Sequence, residues 1–359
     1  MKAISLFSGM GGDSLGLKQA GFNVIAYSEF NKAAIKTHDA NFPGATLIGK
    51  SVGGDITKVS DEEFEKYKGD VDLIFAGFPC QGFSNAGKKK ENDPRNTLFK
   101  EFLRATRIIQ PTYIMGENVK GLTSRKTSDG ENYIDVITEE FKKLDYDIEY
   151  RVLDCSKFGV PQKRERLFIL GRKSSTCTGI NWPKADKKKT DLTSIVSFSM
   201  EGTVSVDSEL VEQLDVNEQS IIRNLDDFSE GSSPHPYLLS KLNADDDKLS
   251  YAGKDYDMLF SFGKRVSPIH CEVVNVLNPS KTIICSYDHQ PRFFVLQENG
   301  KGYFLRSFTV DELKQIQSFP KSFKVLGSTK EQIVQIGNAV PPSMVRQLAQ
   351  ALIASEEQS

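Results

Sequence analysis

The stretch KAISLFSGMGGDSLGL, residues 2–17, decides the fold. Residues 2–7 form the apolar run of a short buried strand, the glycine-rich turn Ser8–Gly12 follows, and apolar residues at helical spacing continue to Ala20. Strand, loop and helix in this order begin a doubly wound α/β fold. A glycine-rich turn by itself can also serve only to reverse the chain.

A carboxylate follows the next predicted strand. Residues 24–27 have the pattern of that strand, and Glu29 comes after it, twenty positions beyond Gly9. At this spacing a doubly wound fold presents an acid to the hydroxyls of a ribose. A further acidic turn, Gly53–Ile56, stands at the next strand end. The pattern predicts a nucleoside cofactor.

The start of the first helix favours a cofactor without a pyrophosphate. Ser14 occupies the place of the last glycine in a Gly-x-Gly-x-x-Gly turn, and Asp13 stands at the mouth of the helix. A helix N-terminus attracts anions, but a carboxylate at that point repels them. We therefore expect a dinucleotide to fit poorly and a nucleoside without phosphates to fit better.

Cys80 is the candidate nucleophile. It lies in the turn Gly77–Ser84, directly after the buried-looking run 71–76. Glycine and proline prevent this turn from continuing as strand or helix, so the thiol is presented at a strand end. The alternative is a small buried hydrophobic residue, which is the usual role of a free cysteine. The flanking Pro79 and Gln81 argue against that alternative.

Charged residues also follow two later strands. Glu117 comes at the end of the predicted strand 112–115. In an extended segment Arg164 and Arg166 point to the same side, which suggests an anionic or carbonyl target. A solvated cap at Glu117 and a surface strand with alternating charges remain alternatives on spacing alone.

Composition excludes some classes and leaves the partner open. The chain has 359 residues, a formal net charge of −2 and five cysteines. The cysteines have neither the even number of a disulfide framework nor CxxC spacing, so we predict reduced thiols and no metal site. With no membrane-length apolar run and no signal-peptide pattern, we expect an intracellular protein.

The alternation of strands and helices stops in the middle of the chain. Residues 172–303 carry short apolar runs and charged tracts, and they predict a second, smaller and irregular domain rich in loops. Helical patterns return at 308–316 and in a last helix opened by residues 335–342. We expect a catalytic domain made of residues 1–171 and 304–359.

Taken together, the motifs resemble those of the cytosine-C5 DNA methyltransferases over nearly the whole chain apart from 172–303. In the family's order the matching segments are Phe7–Gly12, Glu29, Gly54–Ile56, Pro79–Gln81, Glu117–Val119, Gln162–Arg166 and Gly337–Pro342. Asp311 departs from the family, which often has arginine there, and this departure puts packing in doubt more than chemistry.

The resemblance implies an S-adenosyl-L-methionine-dependent enzyme with a Rossmann-like, doubly wound sheet and a target-recognition domain at 172–303. It gives Cys80 the attack on cytosine C6, Glu117 the contact to N3, Arg166 a place near O2 and Arg164 a role in holding the geometry. The implied cofactor residues are Phe7, Gly9, Gly11, Gly12, Glu29, Asp55, Ile56, Pro79, Leu98, Asn338 and Val340.

The resemblance further implies double-stranded DNA as the partner, with the target cytosine rotated out of the duplex. We expect a monomeric modification enzyme that does not physically require a cognate restriction endonuclease. The nearest alternative is an RNA (tRNA) cytosine-C5 methyltransferase on the same fold. A catalytically silent DNA-binding subunit and a nicotinamide dehydrogenase are further alternatives, disfavoured by the retained Cys80 and Glu117 and by Asp13, respectively.

Overall fold

The computed structural model describes residues 1–79, 98–127, 130–174, 179–186, 190–213, 216–224, 249–251, 259–262, 271–288 and 291–354. The predicted nucleophile, Cys80, lies outside the described residues. The chain divides into two compact units. The first comprises 1–188, 317–327 and 339–359, and the second comprises 189–316 and 328–338. The domain limits expected from the sequence stay a prediction.

The elements of the first half of the chain are, in order, β1 (Lys2–Leu6), α1 (Gly12–Gln19), β2 (Asn23–Tyr27), α2 (Lys32–Asn41), β3 (Thr46–Leu47), α3 (Asp61–Glu65), β4 (Leu73–Ala76), α4 (Phe99–Ile109), β5 (Tyr113–Val119), α5 (Tyr133–Lys142), β6 (Tyr146–Asp154), β7 (Gln162–Lys163) and β8 (Glu165–Lys173).

The elements that follow are β9 (Val204–Val206), α6 (Ser208–Gln213), β10 (Ile222–Arg223), β11 (Leu249–Tyr251), β12 (Leu259–Phe262), β13 (Cys271–Val273), β14 (Ser280–Lys281), β15 (Phe293–Asn299), β16 (Gly302–Ser307), α7 (Val310–Ile316), α8 (Thr329–Asn338) and α9 (Pro342–Ile353). Among the described residues, none of the helices combines the length and the apolar character needed to cross a membrane.

The first unit contains a seven-stranded sheet in the order β3-β2-β1-β4-β5-β8-β6. The strands from β3 to β5 are parallel, β8 pairs antiparallel with β5, and β6 pairs antiparallel with β8, so β8 alone runs opposite to the other strands of this sheet. Every residue of β4 is buried, as its continuous apolar run predicts for a strand covered on both faces.

Alternate residues of the central strands supply the cores on the two faces of this sheet. On one face Ile74 packs with Phe102 of α4 and Phe141 of α5. On the other face Phe75 packs with Leu17 of α1 and Leu348 of α9. Helices on both faces confirm the predicted doubly wound α/β class.

The end of the chain differs from the sequence prediction in one respect. Residues 335–338 end α8 instead of opening the last helix, which begins at Pro342. Pro341 is followed by a second proline and takes an extended conformation with ψ of 122°. A residue before proline is excluded from the helical region, so the two helices cannot be continuous.

The second unit is more regular than the predicted loop-rich domain. Its described strands other than β14 form a sheet in the order β11-β12-β13-β15-β16-β9, with β10 paired to β15. Ile221, Val273, Phe294, Leu296 and Leu305 form its core. Several of these strands have only two to four residues, too few to show a period in the sequence.

The departure at Asp311 is accommodated at the surface. The Asp311 side chain is 76% exposed and lies 2.7 Å from Lys314 Nζ. The next residue, Glu312, is buried instead and accepts hydrogen bonds of 2.8 Å from both terminal nitrogens of Arg306. The acidic residue at 311 therefore takes no place in the packed interior of α7.

Candidate active site

The parallel strands of the first unit end at one edge of the sheet, where ligands of doubly wound folds bind. The turn Ser8–Gly12 follows β1 and Glu29 follows β2, while Pro79 lies three residues beyond β4. Glu117 lies in β5, two residues before this strand ends at Val119. The topology thus delivers most of the predicted site residues to one edge.

Glu117 and Arg166 form an ion pair inside this edge. Arg166 Nε lies 3.0 Å from Glu117 Oε1, and the two side chains are only 16% and 13% exposed. Glu117 faces Phe168 across the antiparallel β5–β8 pair, and Val119 faces Arg166. The ion pair therefore joins diagonal neighbours on one face of the two strands.

Burial and charge act on Glu117 in opposite directions. Burial raises the pKa of the Glu117 carboxyl, while the positive charges of Arg166 and Arg164 oppose the rise, and the pKa stays above its ordinary value. Arg164 is itself buried, between β7 and β8. A carboxyl with a raised pKa beside two guanidinium groups can hold or share a proton with a bound partner.

Asn118 ties β5 to the backbone that leads to Cys80. Its Nδ2 atom donates to the carbonyl oxygen of Phe78 at 2.9 Å, and its Oδ1 atom accepts from the amide of Val119 at 2.8 Å. Asn118 is buried, so both bonds are shielded from water. The residue next to Glu117 thus fixes the chain two positions before the predicted nucleophile.

Glu29 anchors the glycine turn. Its Oε2 atom accepts from the amide of Gly9 at 2.9 Å. Its Oε1 atom accepts from the amides of Phe30 at 2.9 Å and Asn31 at 2.7 Å. Burial raises the pKa of Glu29, and these backbone donors oppose the rise. The carboxylate is therefore held in one orientation at the end of β2.

Two glycines allow the backbone to come together around this turn. A Cβ on Gly12 would overlap the carbonyl oxygen of Val340, and a Cβ on Gly54 would overlap that of Glu29. A Cβ on Gly9, by contrast, would meet nothing within 4 Å. The backbone is therefore closely packed at Gly12 and Gly54 and leaves open space at Gly9, where a small molecule could bind.

Phe30 is a candidate site residue that the sequence analysis did not single out. Its side chain is 71% exposed, although it directly follows the half-buried Glu29. An exposed aromatic ring beside a carboxylate suits an amphipathic nucleoside, whose base can stack while its ribose accepts polar contacts. The aromatic residue directly after a strand-end acid is the sequence signal that could have revealed it.

The remaining predicted cofactor residues have different environments. The Asp55 carboxylate caps a short turn, accepting from the Thr57 hydroxyl at 2.7 Å, and this bond together with Lys58 lowers its pKa. Asn338 is exposed and belongs to the second unit. The other positions in the first unit are partly or fully buried: Phe7, Gly11, Ile56, Pro79, Leu98 and Val340.

Asp13 stands in the first turn of α1, as the sequence predicts, but its side chain is not exposed there. Its carboxylate is buried and accepts hydrogen bonds from the hydroxyls of Ser5 and Ser8. The two serines converge on it only when the turn folds back over β1. The expectation that a nucleoside without phosphates fits better than a dinucleotide stays a prediction.

Known proteins have sequences similar to this one. A sequence profile described as C-5 cytosine-specific DNA methylase matches residues 1–354. The chain is 32% identical over 357 residues to the Type II methyltransferase M1.HphI of Haemophilus parahaemolyticus, covering 98% of this chain and 86% of that protein. It is 30% identical over 378 residues to M.DdeI of Desulfomicrobium norvegicum, covering 98% and 88%.

Solved structures share the fold. A mutant of Spodoptera frugiperda DNMT2 superposes with a TM-score of 0.60 at 20% identity, covering 98% of this chain and 99% of that one. The Dnmt2 methyltransferase of S. pombe gives a TM-score of 0.62 at 16% identity, covering 100% and 98%. At these identities the likeness concerns the fold alone.

The doubly wound fold and the family match together define an S-adenosyl-L-methionine-dependent methyltransferase. More narrowly, the chain belongs to the C-5 cytosine-specific DNA methylases. It is a DNA (cytosine-5-)-methyltransferase that takes its methyl group from S-adenosyl-L-methionine. The DNA substrate holds over the RNA alternative that the sequence motifs left open.

Proposed function

We propose that Cys80, Glu117, Arg164 and Arg166 carry out methyl transfer to a cytosine rotated out of duplex DNA. The observation that carries this proposal is the buried Glu117–Arg166 ion pair, 3.0 Å long, next to the residue that fixes the backbone before Cys80. A positive group and a protonatable acid side by side match the two heteroatoms, O2 and N3, of one pyrimidine edge.

In this mechanism the Cys80 thiolate forms a bond to C6, and the C5–C6 π electrons move toward C5 and N3. C5 is thereby made nucleophilic. Bound S-adenosyl-L-methionine supplies an electrophilic methyl group carried on a sulfonium. After methylation, loss of the C5 proton returns its electron pair to the ring, restores the C5–C6 double bond and expels the thiolate.

Glu117 and the arginines act on the charge that develops on the ring. Glu117, with its raised pKa, donates or shares a proton at N3, and Arg166 stabilises the negative charge at O2. The buried Arg164 holds Glu117 and Arg166 in this geometry and adds positive potential at Glu117. These groups are largely shielded from water, so their effect on the developing charge exceeds what it would be in solvent.

Cys80 must ionise more readily than a free thiol, whose pKa is about 8.5. Cys155, which is buried close to the same charged groups, shows the opposite behaviour, since burial raises the pKa of its thiol to about 12. Cys155 is therefore a poor nucleophile. Cys80, which the sequence places in a segment rich in glycine and proline, suits the chemistry better than the buried Cys155.

The cofactor would bind over the ends of β1, β2 and β4. The backbone at Phe7, Gly9 and Gly11 would hold the methionine part, and Glu29 would bind the ribose hydroxyls. Phe30 would stack on the adenine, with Asp55 and Ile56 at its edge. Gly12, Pro79, Leu98, Asn338 and Val340 complete the proposed set.

The segment 172–303 would recognise the sequence around the target cytosine. Rotating the base out of the duplex costs a few kcal/mol, which contacts elsewhere on the DNA must offset. The relatives named above are Type II methyltransferases. We therefore expect a modification enzyme of a restriction-modification system, acting as a monomer on DNA in the cytoplasm or nucleoid, without physical need of a nuclease.

Two measurements test this proposal. Transfer of a labelled methyl group to duplex DNA and to tRNA should label the DNA alone, and labelling confined to tRNA would overturn the proposal. Bisulfite sequencing of DNA from cells that express the chain should show 5-methylcytosine at one recurrent sequence motif. Methylation without any recurrent flanking bases would contradict the recognition role of 172–303.

A further inference from the structure

A chain of hydrogen bonds runs beneath the glycine turn. Ser5 and Ser8 donate their hydroxyl protons to the two carboxylate oxygens of Asp13, the second at 3.1 Å. Ser8 Oγ also lies 3.1 Å from Ser14 Oγ, and Ser14 Oγ lies 3.0 Å from His38 Nε2. All five side chains are buried. The chain therefore links β1, the turn, α1 and α2 through polar atoms shielded from water.

The protons in this chain must all point toward Asp13 when its carboxylate is ionised. Ser8 has one hydroxyl proton and gives it to Asp13, so it must accept from Ser14. Ser14 has then used its own proton and must accept from His38 Nε2. His38 is thus a neutral imidazole with its proton on Nε2. Its Nδ1 atom has no hydrogen-bond partner among the described residues, as befits the unprotonated nitrogen.

Packing holds the imidazole ring in place and keeps it neutral. The ring stacks on Tyr27, with centroids 3.6 Å apart and planes inclined by 17°, and it also contacts Phe42. Burial lowers the pKa of His38 to about 3. A Cβ on Gly11 would lie 2.6 Å from a ring carbon of Phe42 and 3.0 Å from one of His38, so the turn rests directly on these rings.

We propose that Asp13 is a positioning residue for the cofactor, because its ionised carboxylate orders the hydrogen-bond chain that holds the Ser8–Gly12 turn in its binding conformation. This inference rests on the proposed assignment of that turn to S-adenosyl-L-methionine. The turn is then held between two carboxylates. Asp13 fixes Ser8 from below, and Glu29 fixes the amide of Gly9 at its open edge.

A role in stability alone would have different consequences. Burial of a carboxylate lowers the free energy of unfolding, so such a residue is not expected to serve stability. If Asp13 only supported the fold, its replacement would lower the stability of the cofactor-free protein. A positioning residue, by contrast, can be replaced with no loss of stability while the affinity for the cofactor falls. The two roles are therefore separated by comparing thermal unfolding without cofactor with cofactor binding.

The first test is the protonation of His38 in the unaltered protein. The chain has four histidines, so ¹⁵N-labelled histidine gives a simple NMR spectrum, and His38→Gln identifies the resonance. We expect the neutral Nε2–H form at pH 7.5, without any cofactor present. A neutral Nδ1–H form, or an imidazolium, would reverse the direction of the chain and overturn the inference.

The second test compares the binding of S-adenosyl-L-methionine by calorimetry. Asp13→Asn should raise Kd at least tenfold, leave kcat at saturating cofactor within about twofold, and keep the unfolding temperature of the cofactor-free protein unchanged or higher. Asp39→Asn is the matched control, since Asp39 is an exposed neighbour of His38 that bonds only Tyr27 among the contacts described. Its Kd should not change.

Ser14→Ala covers the case in which Asp13→Asn does not fold. It interrupts the chain between Ser8 and His38 but leaves both bonds to Asp13, so Kd should rise several-fold. An unchanged Kd in the folded variants would overturn the inference. So would a raised Kd in a variant whose unfolding temperature without cofactor is also lowered. Absence of cofactor binding by the unaltered protein would instead overturn the proposed function on which the inference rests.

Discussion

Arg166 Nε lies 3.0 Å from Glu117 Oε1, and both side chains are largely shielded from water. The pair is a compromise between two effects. Burial favours the neutral acid, and the guanidinium favours the carboxylate, so that the pKa of Glu117 remains raised. An acid in this state can pass a proton toward a ring nitrogen without a large change in its surroundings.

Glu117→Gln should retain DNA binding and lose most methylation. The amide keeps the size and one polar contact but cannot carry the shared proton, so only the stabilisation of transition-state charge is lost. We expect kcat to fall by about 10²- to 10³-fold with little change in the Kd for duplex DNA. Turnover close to that of the unaltered chain would show that Glu117 has a structural role only.

Arg166→Gln should also lower kcat, and it should raise the pKa of Glu117 further, because the main opposing charge is removed. The pH dependence of turnover should therefore move toward higher pH on the limb that reports Glu117. Arg107→Gln is the matched control, since in the described part of the chain the ion pair of Arg107 is an exposed one, 3.4 Å from Asp61. Equal effects of the two changes would contradict the assignment.

Asn118→Ala should break the hydrogen bond that ties the strand carrying Glu117 to the backbone before Cys80. The carbonyl of Phe78 would lose its 2.9 Å bond in a buried place, at a cost of about 1–3 kcal/mol of unfolding free energy. Methyl transfer should fall more than cofactor binding does. Asn41→Ala is the control and should leave methyl transfer unchanged, although it removes bonds of 2.7 Å to the carbonyl of Thr37 and 2.8 Å to that of Lys324.

Asp13 should make stability depend on pH in the unusual direction for an acid. Burial raises its pKa from 3.8 to about 6, so the folded state binds a proton more readily than the unfolded state. The ionised side chain therefore destabilises the fold above pH 6, by about 3 kcal/mol at neutral pH, and the penalty disappears as the pH falls from about 6 to about 4.

The difference in unfolding free energy between Asp13→Asn and the unaltered protein isolates this effect from other carboxylates. The unfolding free energy of the variant should exceed that of the unaltered protein by the largest amount at pH 7.5. This difference should shrink as the pH is lowered. No other charged side chain contributes to the pKa of Asp13, and the nearest titratable group along the hydrogen-bond chain, His38, stays neutral over this range. A difference independent of pH would contradict the raised pKa.

Much of the fold could be predicted because local patterns decided it. The runs in β1 and β4 are apolar and are followed by glycine-containing turns, so their type and place followed from the local pattern. The predicted strand 112–115 was found as well, but β5 continues to Val119 because it pairs with β8. The second unit could not be predicted in this way, because strands such as β10, with two residues, are defined by pairing with β15 and not by their own pattern.

The place of Glu29 after a strand was predictable, because one residue type at one spacing from Gly9 carried the signal, while its role toward the cofactor stays a prediction. The structure adds the bond between them, at 2.9 Å. The position of Asp13 in the first turn of α1 was predicted, but its burial was not, because the hydroxyls that bond its carboxylate come from β1 and the turn and converge only on folding. The catalytic roles of Glu117, Arg164 and Arg166 stay predictions.

Covalent trapping tests the central claim most directly. Incubation with S-adenosyl-L-methionine and duplex DNA that carries 5-fluorocytosine at the target should give an adduct stable to denaturation, because fluorine at C5 blocks the proton loss that releases the enzyme. Mass spectrometry should map the adduct to Cys80, and Cys80→Ser should abolish it while Cys155→Ser does not. An adduct at another cysteine, or methylation without any adduct, would contradict the account.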